Sequence, residues 1–330
     1  MNQIAKTNLL ILNWIVAAND RPKIDFAVGG QAVVEGVMMR APNNITIAVR
    51  KQDNSIAVRV KPYRTLTQRY KFLNIPILRG VINLFEMMII GTEAINYSAE
   101  QAFDEEPEKI KNPSRARKVF DGAMFIFSFI IAMGISLALF KFAPLAITTF
   151  LETYFQAIQD NYILFNFIDG LLKMSIFLAY IYILSLFPSF RRIFEYHGAE
   201  HKAIWNYEVK QPLTPDNAAK MTRFHPRCGT SFIIIVFVIS IIFYTFIPKQ
   251  DTFLANFALR IAVLPLIAGI SYEFLKFSAR HTEQAFVKIL IQPGLWFQRL
   301  TTREPDIPQL EVSLKSLEES LKMQMGEGGV

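Results

Sequence analysis

The sequence has few of the features that mark a soluble or secreted protein. Only 19% of its 330 residues are charged, while 52% are hydrophobic, and soluble globular domains carry about 25% charged residues. The single cysteine, Cys228, excludes an intrachain disulfide and fits a reducing compartment. The composition therefore excludes a disordered chain, a collagen and a disulfide scaffold, and it predicts a membrane domain with small soluble parts.

The sequence also lacks motifs for binding nucleotides or nucleic acids. The glycines in 28–40 do not have the G-x-G-x-x-G spacing of a phosphate loop. They predict tight turns or close backbone approach instead. Basic residues are mixed with acidic ones in three separate regions, so the net charge of +7 indicates cytoplasmic loops rather than a nucleic acid partner.

Long apolar runs predict four transmembrane helices, since a spanning helix needs ~20 apolar residues. The four segments are about 120–144, about 163–187, 231–247 and about 253–274. Lysine and arginine are concentrated in 1–120, 188–229 and 276–330, whereas 145–162 has none. The positive-inside rule then predicts a multi-pass protein of the cytoplasmic (inner) membrane, with both termini and the central loop in the cytoplasm.

The remaining segments predict a small cytoplasmic β-hairpin region and several amphipathic helices. Alternating β-branched residues in 45–50 and 55–60 flank a polar turn, which is typical of a hairpin. Apolar residues at helical spacing predict an interfacial helix over 76–99. The tail 306–324 carries Leu310, Leu314, Leu317 and Leu321 at helical spacing, and it docks either on a partner or on the protein itself. The predicted fold class is a mainly α membrane protein.

These patterns divide the chain into six parts. They are an N-terminal amphipathic segment (1–23), the hairpin region with the interfacial helix and a charged linker (24–118), transmembrane helices 1 and 2 (119–187), a cytoplasmic loop (188–229), transmembrane helices 3 and 4 (230–275), and a cytoplasmic tail (276–330). In the second part, Glu35 lies among apolar residues, and Arg40 is its expected charge partner.

The pattern His197-Gly-Ala-Glu200-His201 carries the chemistry of the central loop. On a helix these three side chains share one face, which is otherwise apolar, so burying them is costly unless they are paired or bind a metal. H-x-x-E-H is the inverted order of a zinc-protease signature. It predicts a divalent metal, zinc, held by His197 and His201, with Glu200 as the general base on an activated water. The alternative is a hydrogen-bonded cluster without metal.

Further ligands are needed to complete such a site. Inverted zinc proteases use a glutamate well downstream, and Glu273 lies at the cytoplasmic end of the fourth predicted span, where a carboxylate indicates function. His225-Pro-Arg-Cys228 also has metal-ligand spacing. The alternatives are that Glu273 pairs with Lys276 or Arg280 and that Cys228 acts as a small hydrophobic residue.

Four motifs in fixed order resemble a known family. They are GGQAVVEGVMMR, HGAEHKAIWNYE, RFHPRCGTSF and TTREPD followed by QLEV, and they resemble the YqhQ family of bacterial membrane proteins, whose domain of unknown function is described as a predicted metal-dependent enzyme. The resemblance runs from about residue 27 to the C-terminal helix. It implies a membrane location and a metal site drawn from His197, Glu200, His201, His225 and Cys228.

Three functions fit these observations. The first is a membrane-embedded, metal-dependent hydrolase-like enzyme with a cytoplasm-facing site at the membrane boundary. The second is a non-enzymatic membrane factor that binds a cytoplasmic protein partner, in which His197, His201, His225 and Cys228 form a closed structural metal site. The third is a transporter using Asp169, Lys173 and Arg260, although Asp169 and Lys173 more simply neutralise each other at i, i+4 spacing.

Overall fold

The computed structural model describes residues 28–103, 115–281 and 284–325. The chain is mainly helical, with one four-stranded antiparallel sheet, which confirms the fold class at this level. The predicted amphipathic segment 1–23 and residues 104–114 of the predicted charged linker lie outside the described residues.

The sheet contains two more strands than the predicted hairpin. Its strands β1 (Gly29–Val33), β2 (Gly36–Ala41), β3 (Asn44–Arg50) and β4 (Ile56–Pro62) pair in sequence order. The predicted hairpin is β3–β4. The turn before β2 has Glu35 at a φ of 48°. Such turns usually contain glycine or asparagine at this position, so the sequence did not indicate this one. Gly36 does show the expected close approach, because an added Cβ would lie 2.3 Å from the carbonyl oxygen of Ala48.

Helices follow the sheet along the rest of the described chain. They are α1 (Leu66–Arg69), α2 (Leu78–Ala102), α3 (Arg115–Leu137), α4 (Ala143–Glu152), α5 (Gln156–Asp160), α6 (Tyr162–Leu184), α7 (Pro188–Glu208), α8 (Pro215–Ala219), α9 (Thr230–Thr245), α10 (Phe253–Ala262), α11 (Leu264–Arg280), α12 (Ala285–Thr301) and α13 (Ile307–Met325). A π-helical turn, Ala138–Phe142, joins α3 to α4. Helix α2 confirms the helix predicted over 76–99, whose interfacial position stays a prediction, and large apolar side chains on it are exposed: Phe85, Met88 and Ile89.

Three helical segments in the described chain are long and apolar enough to cross a membrane, which suggests a membrane protein. They are Gly122–Glu152, Tyr162–Leu184 and Phe253–Ala279. The third predicted span is the apolar helix α9, which has 16 residues and is shorter than these. The first segment runs beyond its predicted end. A π-helical turn that ends at Phe142, two residues before Pro144, lets the helix continue past a residue that has no N–H.

Three charged side chains inside the apolar helices, Asp169, Lys173 and Arg260, form one cluster. Lys173 Nζ lies 3.1 Å from Asp169 Oδ2 on the same helix, and Arg260 of α10 donates both to Asp169 and to Asn166. This confirms the expected mutual neutralisation of Asp169 and Lys173. The cluster ties α6 to α10 because a buried charge is tolerated only with its partners.

The C-terminal helix covers the sheet and α7. The leucines of its apolar stripe, Leu310, Leu314, Leu317 and Leu321, lie in one core with residues of β2 and α7, among them Val37 and Tyr196. Asn44 on β3 donates a hydrogen bond to the backbone oxygen of Ser320 at 3.0 Å. The predicted amphipathic tail therefore docks on the protein itself.

Candidate metal centre

Helix α7 carries the H-x-x-E-H pattern on its buried face. The helix begins at Pro188, whose ring suits a first-turn position, and continues to Glu208. His197, Glu200 and His201 are buried, with 8%, 4% and 1% of their surface exposed. The sequence prediction that these groups share a buried helical face is confirmed.

Three possible ligand atoms converge at this face. The side chains of His197, His201 and Cys228 each offer one atom, and these atoms lie within 4.8 Å of one another. His197 Nε2 is 3.2 Å from Cys228 Sγ, close to the about 3.5 Å separation of an imidazole nitrogen and a thiolate bound to one tetrahedral zinc. The two imidazole rings have centroids 4.4 Å apart. A buried group of this kind could hold a metal ion.

Backbone carbonyls fix the orientation of both imidazoles. His197 Nδ1 lies 2.7 Å from the oxygen of Thr301, and His201 Nδ1 lies 2.6 Å from the oxygen of Arg223. A carbonyl oxygen can only accept, so each Nδ1 carries a hydrogen, and each ring presents an Nε2 lone pair whenever it is neutral. His201 Nε2 is buried and has no hydrogen-bond partner among the described residues. Metal-binding histidines are held in the same way by their second nitrogen.

Cys228 is held at the start of α9 in surroundings that favour its thiolate. The Sγ atom lies 3.1 Å from Thr230 Oγ1 and accepts the backbone N–H of Thr230 at 3.4 Å. Burial opposes ionisation, but the charges of His201 and His197 and the hydrogen bond from His197 outweigh it and bring the pKa of Cys228 well below its usual range. Burial likewise disfavours the charged form of His197, yet the neighbouring thiolate raises the pKa of His197 to about 9. The thiolate is the form that binds a metal.

Glu200 is the one carboxylate that α7 directs into this region. Burial raises the pKa of Glu200, while the charges of His197 and His201 oppose that rise. Gly30 of β1 packs directly against this side chain, since an added Cβ would lie 2.9 Å from Glu200 Cδ. The buried Oε2 atom of Glu200 has no hydrogen-bond partner within the described part of the chain. Glu200 thus has a free acceptor close to the three possible ligands.

His225 is near the group but is engaged elsewhere. Its ring centroid lies 5.7 Å from that of His201. Its Nε2 lies 3.2 Å from Glu208 Oε1, and its Nδ1 accepts the backbone N–H of Arg227 at 3.3 Å. Because both ring nitrogens have partners, neither presents a free lone pair. The structure therefore does not bring the predicted ligand His225 into the group.

Glu273 is also placed outside the group, and its partner differs from the expected ones. The guanidinium of Arg79, on α2, donates to both carboxylate oxygens of Glu273, with Nε 2.6 Å from Oε1. The sequence offered Lys276 and Arg280 as partners because they are close in the chain. Arg79 becomes the partner because α2 packs along α11, where Gly80 lies against Tyr272.

The residues missed by the sequence analysis act mainly through their backbone. The carbonyls of Thr301 and Arg223 orient the imidazoles, and a backbone group can be supplied by any residue type, so no sequence signal identifies it. Gln298 of α12 was missed as well. Its side-chain amide exchanges two 2.8 Å hydrogen bonds with the backbone of His225, which fixes the segment before Cys228.

Comparison with known proteins gives two matches. A family model described as a protein of unknown function (DUF1385) matches residues 75–323. The uncharacterized protein YqhQ of Bacillus subtilis (strain 168) is 33% identical over 302 residues, which cover 92% of this chain and 94% of the relative. No solved structure matches the chain.

Proposed function

The chain belongs to the YqhQ family, whose domain is of unknown function, and from this premise we propose that it is an integral membrane, metal-dependent hydrolase with a cytoplasm-facing site at the membrane boundary. The observation that carries the proposal is the convergence of His197, His201 and Cys228 within 4.8 Å. Their two nitrogen atoms and one sulfur atom suit zinc, which binds such donors tetrahedrally.

The donor set fits a divalent cation in detail. Both histidines have Nδ1 held by a backbone carbonyl and present Nε2, and the Nε2 of His201 lacks any other partner among the described residues. Without a metal, the buried Cys228 thiolate is neutralised only by a proton on an imidazole, which costs that ring its Nε2 lone pair. A cation at this point would remove that cost by accepting the thiolate and both lone pairs.

Three ligands leave one tetrahedral position open, and this favours catalysis over a closed structural site. A bound divalent cation would supply Lewis acidity, which lowers the pKa of a coordinated water and polarises a carbonyl or phosphoryl oxygen. Glu200 would accept the proton through its free Oε2 atom. Its burial, which raises the pKa of this carboxyl group, makes it a stronger base than an exposed glutamate.

The alternative proposal, a non-enzymatic factor with a structural metal, requires His225 as the fourth ligand. His225 lies close enough to His201 to be a candidate fourth ligand. To bind the metal, it would have to lose its contact with Glu208. Such a protein would act by binding a cytoplasmic partner. The two proposals differ in whether the fourth ligand is a protein nitrogen or an exchangeable oxygen.

The packing of the soluble elements supports four membrane crossings. The sheet, α7 and α13 share one core, so they lie on the same side of a membrane and an even number of crossings separates each from the next. Gly122–Glu152 and Tyr162–Leu184 provide two crossings before α7. After α7, Phe253–Ala279 provides one, so α9 is required for the second.

Helix α9 is short for this task, because 16 residues extend about 24 Å and the hydrocarbon core is ~30 Å thick. Local thinning of the bilayer accommodates such a mismatch at modest cost. The distribution of lysine and arginine assigns the sheet, α7 and α13 to the cytoplasm. The proposed location is thus the inner membrane, where the lipid bilayer surrounds the spanning helices.

X-ray absorption at the zinc edge of the purified protein tests the enzymatic proposal against the structural one. We expect about two nitrogen donors, one sulfur and one oxygen, with the oxygen replaced by added thiocyanate. Three nitrogen donors and one sulfur, unchanged by thiocyanate, would support the closed structural site instead. The Glu200→Gln variant should keep the same spectrum, since Glu200 is assigned the role of base and not of ligand.

A further inference from the structure

Two cavities meet at the candidate metal centre. One has a volume of about 550 Å³ and the other about 490 Å³, and both are lined by Arg40, Glu200 and Cys228. Their sizes lie within the ~300–1,000 Å³ range of small-molecule sites. A molecule that reaches the three possible ligands therefore has room on both sides of them.

The larger cavity extends between the apolar helices. Its walls there consist of large apolar side chains from α6, α9 and α12: Phe177, Ile181, Phe232, Ile233 and Phe297. The smaller cavity combines apolar side chains such as Met38 and Ile204 with polar and charged groups, including His201, His225 and Arg227. The combined space is thus strongly apolar between the helices and more polar at its other end.

Arg40 stands at the junction and forms no salt bridge with a carboxylate of the described residues, although Glu200 lines the same two cavities. The expected partner, Glu35, is paired with Arg192, its Oε2 lying 2.6 Å from Nη2. The guanidinium of Arg40 donates to the thioether of Met87 at 2.7 Å and lies 5.5 Å from the centre of the Tyr63 ring. Neither contact neutralises its charge, so the remaining donors of Arg40 suit an anion.

We infer that the site binds an anionic amphiphile, with an apolar chain in the larger cavity and a phosphate or carboxylate head bound by Arg40. This inference deepens the proposed function and rests on it, since it names the substrate class of the same site. Arginine matches the planar, two-oxygen geometry of carboxylate and phosphate groups. Of the helices that line the apolar cavity, α6 is long and apolar enough to span a membrane and α9 is proposed to do so, so the ligand would enter from the lipid.

The walls of the larger cavity favour an alkyl chain over a peptide. A peptide would bring a buried N–H and C=O at each residue, and each would need a hydrogen-bond partner. The side chains of α6, α9 and α12 named above offer none. An alkyl chain gains free energy from such walls simply by leaving water.

Photocrosslinking of the purified, metal-loaded protein in a neutral maltoside detergent tests the inference. The probes are dodecyl phosphate and dodecanol, each with a diazirine on the chain, and inorganic phosphate serves as a competitor. The variants are Arg40→Gln and Arg40→Lys. The matched control is Arg59→Gln, which removes an arginine of the same sheet that pairs with Glu93.

We expect Arg40→Gln to reduce the capture of dodecyl phosphate by about tenfold to a hundredfold, which is the effect of losing a charged hydrogen bond. Capture of dodecanol should not change, Arg40→Lys should restore part of the capture because it keeps the charge but not the planar geometry, and Arg59→Gln should resemble the wild type. Equal capture of dodecyl phosphate by the wild type and Arg40→Gln would overturn the inference. Competition by inorganic phosphate at the concentration of dodecyl phosphate would also overturn it, because the chain would then contribute nothing.

Metal content is measured on the same samples and separates the two proposals. Bound metal without capture of the amphiphile would reject this inference and leave the proposed hydrolase intact. Capture without bound metal would reject the metal-dependent hydrolase and leave the amphiphile site. The Arg40 variants should keep their metal in either case, since Arg40 contacts none of the three possible ligands in the hydrogen bonds of the structure.

Discussion

Gly198 of α7 lies directly beneath the carbonyl oxygen of Arg303, so that a Cβ added to Gly198 would lie 2.0 Å from that oxygen. The backbone N–H of Arg303 also donates to the carbonyl of Phe194 at 2.8 Å. These contacts hold the segment after α12 against the helix and bring the carbonyl of Thr301 to His197. The glycine in the H-x-x-E-H pattern is therefore required by packing around the candidate metal centre.

The first prediction concerns this packing. In Gly198→Ala, the segment around Arg303 must move away from α7, and the hydrogen bond from His197 to Thr301 is lost. Loss of such a supporting contact lowers metal affinity by about tenfold to a hundredfold, which a competition titration with a fluorescent chelator measures. Gly29→Ala is the matched control, because an added Cβ there meets nothing within 4 Å. Equal affinities in the two variants would contradict the packing account.

The second prediction uses Cys228, the only cysteine in the chain. A metal on its Sγ atom would block alkylation, and removing the metal exposes a thiolate that both cavities reach. We expect N-ethylmaleimide to modify the protein at least about tenfold faster after treatment with a chelator, with zinc restoring protection. Mass spectrometry gives the rate. An alkylation rate that does not respond to the chelator would exclude Cys228 as a ligand.

The third prediction tests the four-crossing topology. Cysteines replacing Asp160 and Asp251 would lie on the outer side, and a cysteine replacing Lys220 would lie inside. A membrane-impermeant maleimide added to intact cells should label Asp160→Cys and Asp251→Cys but not Lys220→Cys, and the wild type gives the background from buried Cys228. If α9 did not cross the membrane, the chain would cross three times and residue 251 would stay on the inner side. Only Asp160→Cys would then be labelled.

The fourth prediction separates Glu273 from the metal centre. Glu273→Gln breaks the ion pair with Arg79, in which each of the two side chains is about one-fifth exposed. We expect a loss of about 1–2 kcal/mol in the free energy of unfolding, measured by denaturation in detergent, with metal content unchanged. Arg79→Gln should have the same effect, and the double variant should lose little more than either single one. Loss of metal in Glu273→Gln would return Glu273 to the ligand set.

Local patterns in the sequence were enough to predict the long apolar helices, α2, α7, the C-terminal helix and part of the site, but not α12. The spacing of His197, Glu200 and His201 on an apolar stripe predicts their shared burial, because that depends only on helical periodicity. The tail is correctly predicted for the same reason, since its leucines recur at i, i+3 and i+4.

The remaining features depend on contacts between distant parts of the chain. Arg79 and Glu273 meet only because α2 packs along α11, and Glu208 engages His225 because α7 ends beside the segment that precedes Cys228. The sequence indicates only the type and spacing of these residues, and on that basis it predicted His225 and Glu273 as ligands. Strands β1 and β2 were missed because their turn at Glu35 lacks the glycine or asparagine that marks most tight hairpins.

The most direct test of the central claim is the metal content of the purified protein, measured by inductively coupled plasma mass spectrometry. The account predicts about one divalent metal per chain in the wild type, with zinc predominant, and loss of nearly all of it in His197→Ala, His201→Ala and Cys228→Ala. His281→Ala removes a histidine that stacks on Phe277, away from the three possible ligands, and it should keep the metal. A wild-type protein that contains no metal, or alanine variants that retain it, would contradict the account.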